Sequence, residues 1–129
     1  GSVSSINYVK NGIAGMLENV PREKLIGGVP FYTRLWTEAG DGTITSKAMG
    51  IAEEKRWVDN NQVELTWQAD TAQYYGEVQT SDGAQFLWME EERSLKEKMN
   101  VIRQNDLAGV ACWKLGFEDS TAWDSIQWN

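Results

Sequence analysis

The sequence contains no histidine and a single cysteine. Without histidine, Ser-His and Cys-His nucleophile pairs are excluded, as are the common zinc sites built on imidazole. With Cys112 alone, no internal disulfide can form. Cys112 lies in the apolar run Leu107–Trp113 and reads as a buried, inert thiol rather than a nucleophile. No run of about 18 apolar residues occurs, so no segment is expected to cross a bilayer as a helix, and no signal-peptide pattern is visible. Positive charge is in deficit. Twelve Lys and Arg face 19 Asp and Glu, for a net charge of −7. Such a surface repels phosphate backbones and anionic lipid, so neither nucleic acid nor a membrane is expected as a partner. A neutral sugar is not penalised.

What the chain has in excess is tryptophan, seven in 129 residues. Some must be core. A surplus of aromatic rings is also what sugar-binding clefts use, because the apolar face of a pyranose stacks on a ring. For any single Trp both readings stay open.

Ile6, Val9, Ile13, Met16, Leu17 and Val20 recur at spacings of three and four, which predicts an amphipathic helix over about Ser4–Asn19, stopped by Pro21. Leu25–Tyr32 is short, apolar and not alternating, as expected of a strand buried on both faces. Ala39–Gly42 is a loop. Beyond it, Lys47–Lys55 reads as a short helix. Arg56–Asp59 and Val63–Thr66 read as strands around Asn60-Asn61, and Thr71–Thr80 and Ala84–Met89 as strands around Ser81-Asp82-Gly83. The middle, about Thr37–Met89, is therefore expected to be a small antiparallel insert, with Trp36, Trp57, Trp67 and Trp88 in its core.

The run Glu90-Glu91-Glu92 reads as a solvated face and lacks the partners of a metal site. A second helix is expected from Ser94, with Ser94 and Glu97 as a capping box and Leu95, Met99 and Ile102 on its buried side. Asp106 ends it. Leu107–Trp113 is a second strand of the buried type. Asp119 opens a last helix over roughly Ala122–Gln127, against which Trp123 and Trp128 are expected to pack. Two buried strands alternating with helices indicate an α/β fold, but two cannot make a sheet core alone.

Three segments resemble the glycoside hydrolases of family 18. Lys24-Leu25-Ile26-Gly27-Gly28-Val29-Pro30-Phe31-Tyr32-Thr33-Arg34 resembles the seventh barrel strand of that family, K-[LI]-x-x-G-[VI]-P-[FT]-Y-G-R. The run from Leu107 through Trp113 to Asp119 resembles its eighth strand, G-[VI]-x-x-W-x-[LI] followed by an acidic residue. Glu91–Lys98 resembles the D-x-x-S-[LI]-x-x-K step into the helix between them. The order is right and the match covers nearly the whole chain. The nearest likeness is to the bacterial envelope and spore-associated branch.

The resemblance implies the C-terminal fragment of a TIM (β/α)8 barrel. Strands seven and eight and their flanking helices would occupy residues 1–36 and 90–129, with an antiparallel α+β insertion at 37–89. A complete barrel takes roughly 250 residues. The substrate would be an N-acetylglucosamine polysaccharide, of chitin or peptidoglycan type, in an extracellular, envelope or spore setting. By resemblance the reaction is a substrate-assisted one that retains configuration. Its proton donor ends a D-x-x-D-x-D-x-E motif that these 129 residues do not contain, and the family's strand-six M-x-Y-D is missing too. General acid catalysis is worth about 10²–10⁴-fold, so the chain is expected to be inactive alone, with no catalytic residue, cofactor or metal of its own.

What the resemblance leaves are substrate-binding residues of the cleft wall. Trp113 would lie under the sugar at the scissile bond, and Tyr32 and Arg34 would line the same cleft. Thr33 departs from the family's glycine. Two further readings compete: a non-catalytic carbohydrate-binding module, and a self-associating interaction module. In a half-barrel, open strand edges and the apolar faces of the two strands would meet water, which favours dimerisation of the fragment.

Overall fold

The chain was described from a computed structural model covering residues 1–128. Helix α1 (Ile6–Leu17) is capped by Ser5, whose hydroxyl accepts the Tyr8 N–H at 3.2 Å. It buries Ile6 and Ile13 and leaves Tyr8 and Met16 exposed. A 3-10 turn at Arg22–Lys24 leads into β1 (Ile26–Pro30). This strand pairs in parallel with β7 (Gly109–Trp113), in a register that sets Ile26 against Gly109 and Pro30 against Trp113. The two strands predicted to be neighbours are thus side by side.

The pair has one covered face only. Gly27 and Val29 point into a core formed with Leu95, Met99 and Ile102 of α3 (Glu92–Gln104). Gly27 has to be small, because a Cβ there would lie 2.6 Å from Ile102 Cδ1. On the other face Ile26, Gly28, Ala111 and Trp113 are exposed. Strands of the type buried on both faces are thus covered on one face only, and the other meets water, as expected of two barrel strands alone: among the described residues no second layer lies over it.

Phe31, fully buried, separates β1 from β2 (Tyr32–Glu38). Here the chain leaves the parallel pair and enters a five-stranded antiparallel sheet of order β3-β2-β6-β5-β4, built from β3 (Ile44–Gly50), β4 (Thr66–Gln68), β5 (Gln73–Thr80) and β6 (Gly83–Trp88). Alternation along β2 sends Thr33 and Leu35 to one face and Tyr32, Arg34 and Trp36 to the other. The first face is closed by α2 (Ile51–Asn60) through a second core of Leu35, Met49, Trp57, Leu87 and Met89.

Several predicted elements are corrected. Lys47–Lys55 is not one helix: β3 runs to Gly50, whose extended backbone caps α2. Arg56–Asp59, expected as a strand, lies within that helix, since Ile51, Glu54 and Trp57 share its buried side. The strand placed at Val63–Thr66 is instead β4, at Thr66–Gln68. The capping box of α3 runs the other way. Glu91 is the N-cap, its carboxylate accepting the N–H groups of Arg93 at 2.9 Å and Ser94 at 3.0 Å, while the Ser94 hydroxyl accepts the Glu91 N–H at 2.9 Å.

Asp119 caps α4 (Ser120–Ser125) as expected. Trp123 and Trp128, however, are 45% and 47% exposed, and the Trp123 ring meets that of Phe31 edge-on at 5.4 Å between ring centres. Of the four tryptophans assigned to the insert core, Trp57 is buried, whereas Trp36, Trp67 and Trp88 are half-buried. Cys112 is half-buried, and burial raises its thiol pKa, which disfavours the thiolate.

The acidic run is the largest correction. Glu90 is fully buried and Glu91 nearly so. Lys98, equally buried, donates to both Glu90 oxygens at 2.9 and 3.1 Å. Ser94 Oγ and Gln73 Nε2 donate to the same carboxylate. From α2, buried Glu54 accepts the Glu90 N–H at 2.7 Å and leaves its second oxygen without a partner.

Candidate functional site

The geometry brings two of the three expected binding residues together. Phe31 N–H donates to the Trp113 carbonyl at 2.7 Å, so the end of β1 and the end of β7 are fastened to one another. Tyr32 follows immediately. A cavity of about 290 Å³ opens there, lined by Ser4, Gly28, Tyr32, Ala111, Cys112 and Trp113. Trp113 is 67% exposed at the end of a strand, where packing supplies no reason for a bare indole. The peptide bond that follows it, to Lys114, is cis.

Tyr32 is set by contacts on two sides. Its backbone pairs with Gly50 of β3, and its ring lies 5.9 Å from that of Phe117. Phe117 in turn carries the Lys114 ammonium over its face at 4.7 Å. Gly50 is required here, because a Cβ would come within 2.9 Å of the Phe117 carbonyl oxygen.

Arg34 does not line the same cavity. It lies two residues further along β2, and its guanidinium is held by β3: Nε donates to Ser46 Oγ at 2.8 Å and Nη2 to the Ser46 carbonyl at 3.2 Å. Sequence reasoning did not single out Ser46, Phe117 or Lys114. The signal for Ser46 is its place in the strand facing β2, which becomes legible only once β3 is assigned as a strand. Thr33 is fully buried in extended backbone, and its hydroxyl donates to the Trp88 carbonyl. The missing glycine thus leaves β2 regular, and the threonine ties β2 to β6.

A charged node joins α2 to the starts of α3 and α4. Lys55 Nζ meets Glu92 at 2.9 Å, Asp119 at 2.6 Å and the Thr121 hydroxyl at 3.2 Å. Burial alone would raise Glu92, but the Thr121 hydroxyl and the Lys55 ammonium outweigh it and hold the carboxyl at about 2. Asp119 is likewise held below its ordinary range: burial would raise it, and Lys55 and Thr121 override that. No group of three or more His, Cys, Asp or Glu side chains able to hold a metal ion occurs among the described residues.

A glycosylase of Bacillus subtilis, YvbX, is 25% identical over 128 residues, which are 98% of this chain and 37% of that protein. The cortical fragment-lytic enzyme of the same organism is 26% identical over 124 residues, 95% of this chain and 29% of the enzyme. The chain thus spans about a third of the length of these curated relatives. Among solved structures, a chitinase from Chromobacterium violaceum superposes with a TM-score of 0.90 at 20% identity, over 99% of this chain and 39% of the chitinase. The spore cortex-lytic enzyme SleL of Bacillus megaterium superposes with a TM-score of 0.87 at 23% identity, over 98% of this chain and 30% of SleL. At these identities the superpositions speak for the fold. The sequence model of glycosyl hydrolases family 18 matches residues 3–118, and the chain belongs to that family.

Proposed function

We propose that this chain supplies strands seven and eight of a family 18 (β/α)8 barrel whose enzyme cleaves an N-acetylglucosamine polysaccharide. In this reading residues 1–36 and 90–129 are barrel segments and 37–89 an insertion between them. The observation that carries it is the β1–β7 pair. Parallel strands occur almost only with both faces covered, yet here Ile26 and Trp113 stand bare on one face, 58% and 67% exposed. Further strands on either side of the pair would cover that face and leave the strand ends as the rim of a cleft, where the active sites of such barrels sit.

Trp113 then lies beneath the sugar at the scissile bond, and Tyr32 and Arg34 form the adjoining wall. The reaction is substrate-assisted: the acetamido oxygen of the substrate attacks its own anomeric carbon while a protein carboxylic acid protonates the leaving oxygen. That acid lies outside these 129 residues, so they hold substrate without cleaving it. The names of the cortical fragment-lytic and spore cortex-lytic relatives favour a bacterial envelope or spore setting and a peptidoglycan-type glycan. The chitinase likeness keeps chitin as the other candidate.

The test is complementation. The chain alone is expected to release nothing from N-acetylglucosamine oligomers. Mixed or fused with the preceding segment of a family relative, which carries the D-x-x-D-x-D-x-E acid, it is expected to restore turnover, and Trp113→Ala in the fusion should abolish it. Hydrolysis by the 129 residues alone would overturn the proposal.

A further inference from the structure

Four ionisable side chains share a dry space between α2 and α3 that the proposed reaction does not use. Glu54, Glu90 and Lys98 are fully buried, and Glu91 is 7% exposed. Three acids thus face one ammonium. Two of the acids are provided for as anions. Glu90 accepts from Lys98 twice, from Ser94 Oγ at 3.0 Å and from Gln73 Nε2 at 3.2 Å. Glu91 accepts two backbone N–H groups at the start of α3. Glu54 is not provided for. Its Oε1 takes the Glu90 N–H at 2.7 Å, and its Oε2 has no hydrogen-bond partner among the described residues. A carboxyl group buried in this way keeps its proton.

The surrounding elements offer Glu54 no cation. Lys55, its neighbour on α2, is turned to Glu92, Asp119 and Thr121, at the starts of α3 and α4. From α3, Lys98 and Ser94 are committed to Glu90, and the Arg93 guanidinium lies over the Trp67 ring at 3.7 Å. From β5, Gln73 binds Glu90 and the Met89 carbonyl, and accepts the Ser2 hydroxyl. The segment before α3 supplies Glu90 and Glu91, both of which oppose a further negative charge.

We infer that Glu54 is the proton carrier of a buried latch, which holds the first turn of α2 against α3 and lets that turn open when the proton is lost. The turn leads to the cleft. Ile51, one turn before Glu54, donates its N–H to the Phe117 carbonyl at 2.7 Å. Gly50 precedes it and pairs with Tyr32, and the Phe117 ring lies 5.9 Å from the Tyr32 ring. One turn of helix therefore carries the acid at one end and the brace of Tyr32 at the other. An ionised Glu54 beside Glu90 and Glu91 repels the start of α3, and it reaches water only by opening this turn. Burial and those two charges raise Glu54 well above 4.5, so the opening belongs to the alkaline side. Burial would raise Glu92 and Asp119 too, but Lys55 and Thr121 outweigh it and hold both low. The Lys55 node thus stays charged throughout, and α2 pivots on it without detaching. The bearing of the latch on a sugar cleft rests on the proposed function; the latch itself does not.

The test uses the chain without sugar, so its failure is separate from failure of the proposed cleft. Amide hydrogen exchange is followed by NMR between pH 5 and 8 in the parent and in Glu54→Gln, which keeps an acceptor for the Glu90 N–H. The intrinsic pH dependence of exchange is common to both and cancels. An opening that releases one proton grows about tenfold per pH unit, from the ordinary carboxyl range up to the midpoint of the closed state. Opening at the Ile51 and Phe117 amides is therefore expected to rise about tenfold more per pH unit in the parent than in the variant. The Ile13 amide of α1, an element that carries none of these groups, should show no such difference.

Equal slopes at Ile51 and Phe117 overturn the inference. A difference equally large at Ile13 also overturns it, because the proton would then govern unfolding of the whole chain and not one turn. If the variant fails to fold, the carboxyl carbon resonance of Glu54 in the parent decides. A neutral acid at pH 6 is expected there, and a carboxylate at pH 6 removes the proton carrier and the latch with it.

Discussion

Lys98 has no access to water, and its one salt-bridge partner among the described residues, Glu90, is as buried as itself. The pair faces two further acids, Glu54 from α2 and Glu91 at the start of α3, so negative groups outnumber the positive one. Burial raises Glu90, and although Lys98 and Ser94 pull it back, it stands at about 7 against 4.5 for the free side chain. Glu54 is raised well above 4.5, by burial first and then by the charges of Glu90 and Glu91. An acid whose folded pKa is raised contributes most below its unfolded value. Stability is then lost as pH rises from about 4.5 through about 7. Glu92 and Asp119 have the opposite sense, and what they contribute is lost as pH falls from about 4.5 toward 2. Stability should therefore peak near pH 4–5. Glu54→Gln keeps an acceptor for the Glu90 N–H and removes an acid that resists ionisation. Its urea midpoint is expected to match the parent at pH 4.5 and exceed it at pH 8. Equal midpoints at pH 8 would show that Glu54 does not contribute to the alkaline loss.

At the scale of elements, what the sequence made legible followed its periodicity. The buried side of α3 was plain from Leu95, Met99 and Ile102, and all three are fully buried. That β1 and β7 are strands was plain from their apolar runs, whereas their standing as parallel neighbours came from the resemblance to family 18. Helix α2 was not, because Arg56-Trp57-Val58-Asp59 alternates over a window too short to reveal Ile51 and Glu54 on the same side, and because its N-cap, Gly50, offers no side-chain signature. The burial of Glu90 was invisible for another reason. Its cation lies eight residues on, across the start of a helix, beyond the reach of any local charge pattern. The packing of β1 on α3 yields an element-scale prediction. Gly27→Ala places a methyl 2.6 Å from both Cγ1 and Cδ1 of Ile102, and overpacking of this kind costs about 1–3 kcal/mol. The second change Ile102→Val, which shortens that side chain, should recover part of the loss in denaturant unfolding. A further loss on adding it would place the strain elsewhere.

For the whole molecule the decisive quantity is bare apolar surface. Tyr8, Met16 and Ile26 border a groove of about 220 Å³ between α1 and β1, and Trp113 and Leu115 are exposed at the other end of the strand pair. Both strands of that pair keep an unpaired edge among the described residues. The 129-residue chain is therefore expected to self-associate. Sedimentation velocity should show a dimer growing in with concentration, and Ile26→Lys, on the exposed face, should return it to monomer without loss of helix or strand signal. A species that stays monomeric across that range removes the expectation. The junction at Phe31 also limits how such a chain can be re-engineered. Excising residues 37–89 as a cassette and joining the ends would strip Arg34 of Ser46, Thr33 of the Trp88 carbonyl and Tyr32 of its pairing with Gly50. Tyr32 and Arg34, the proposed sugar-facing wall, lie on the same continuous strand that enters the antiparallel sheet, so swapping this segment between relatives would carry part of that proposed wall with it.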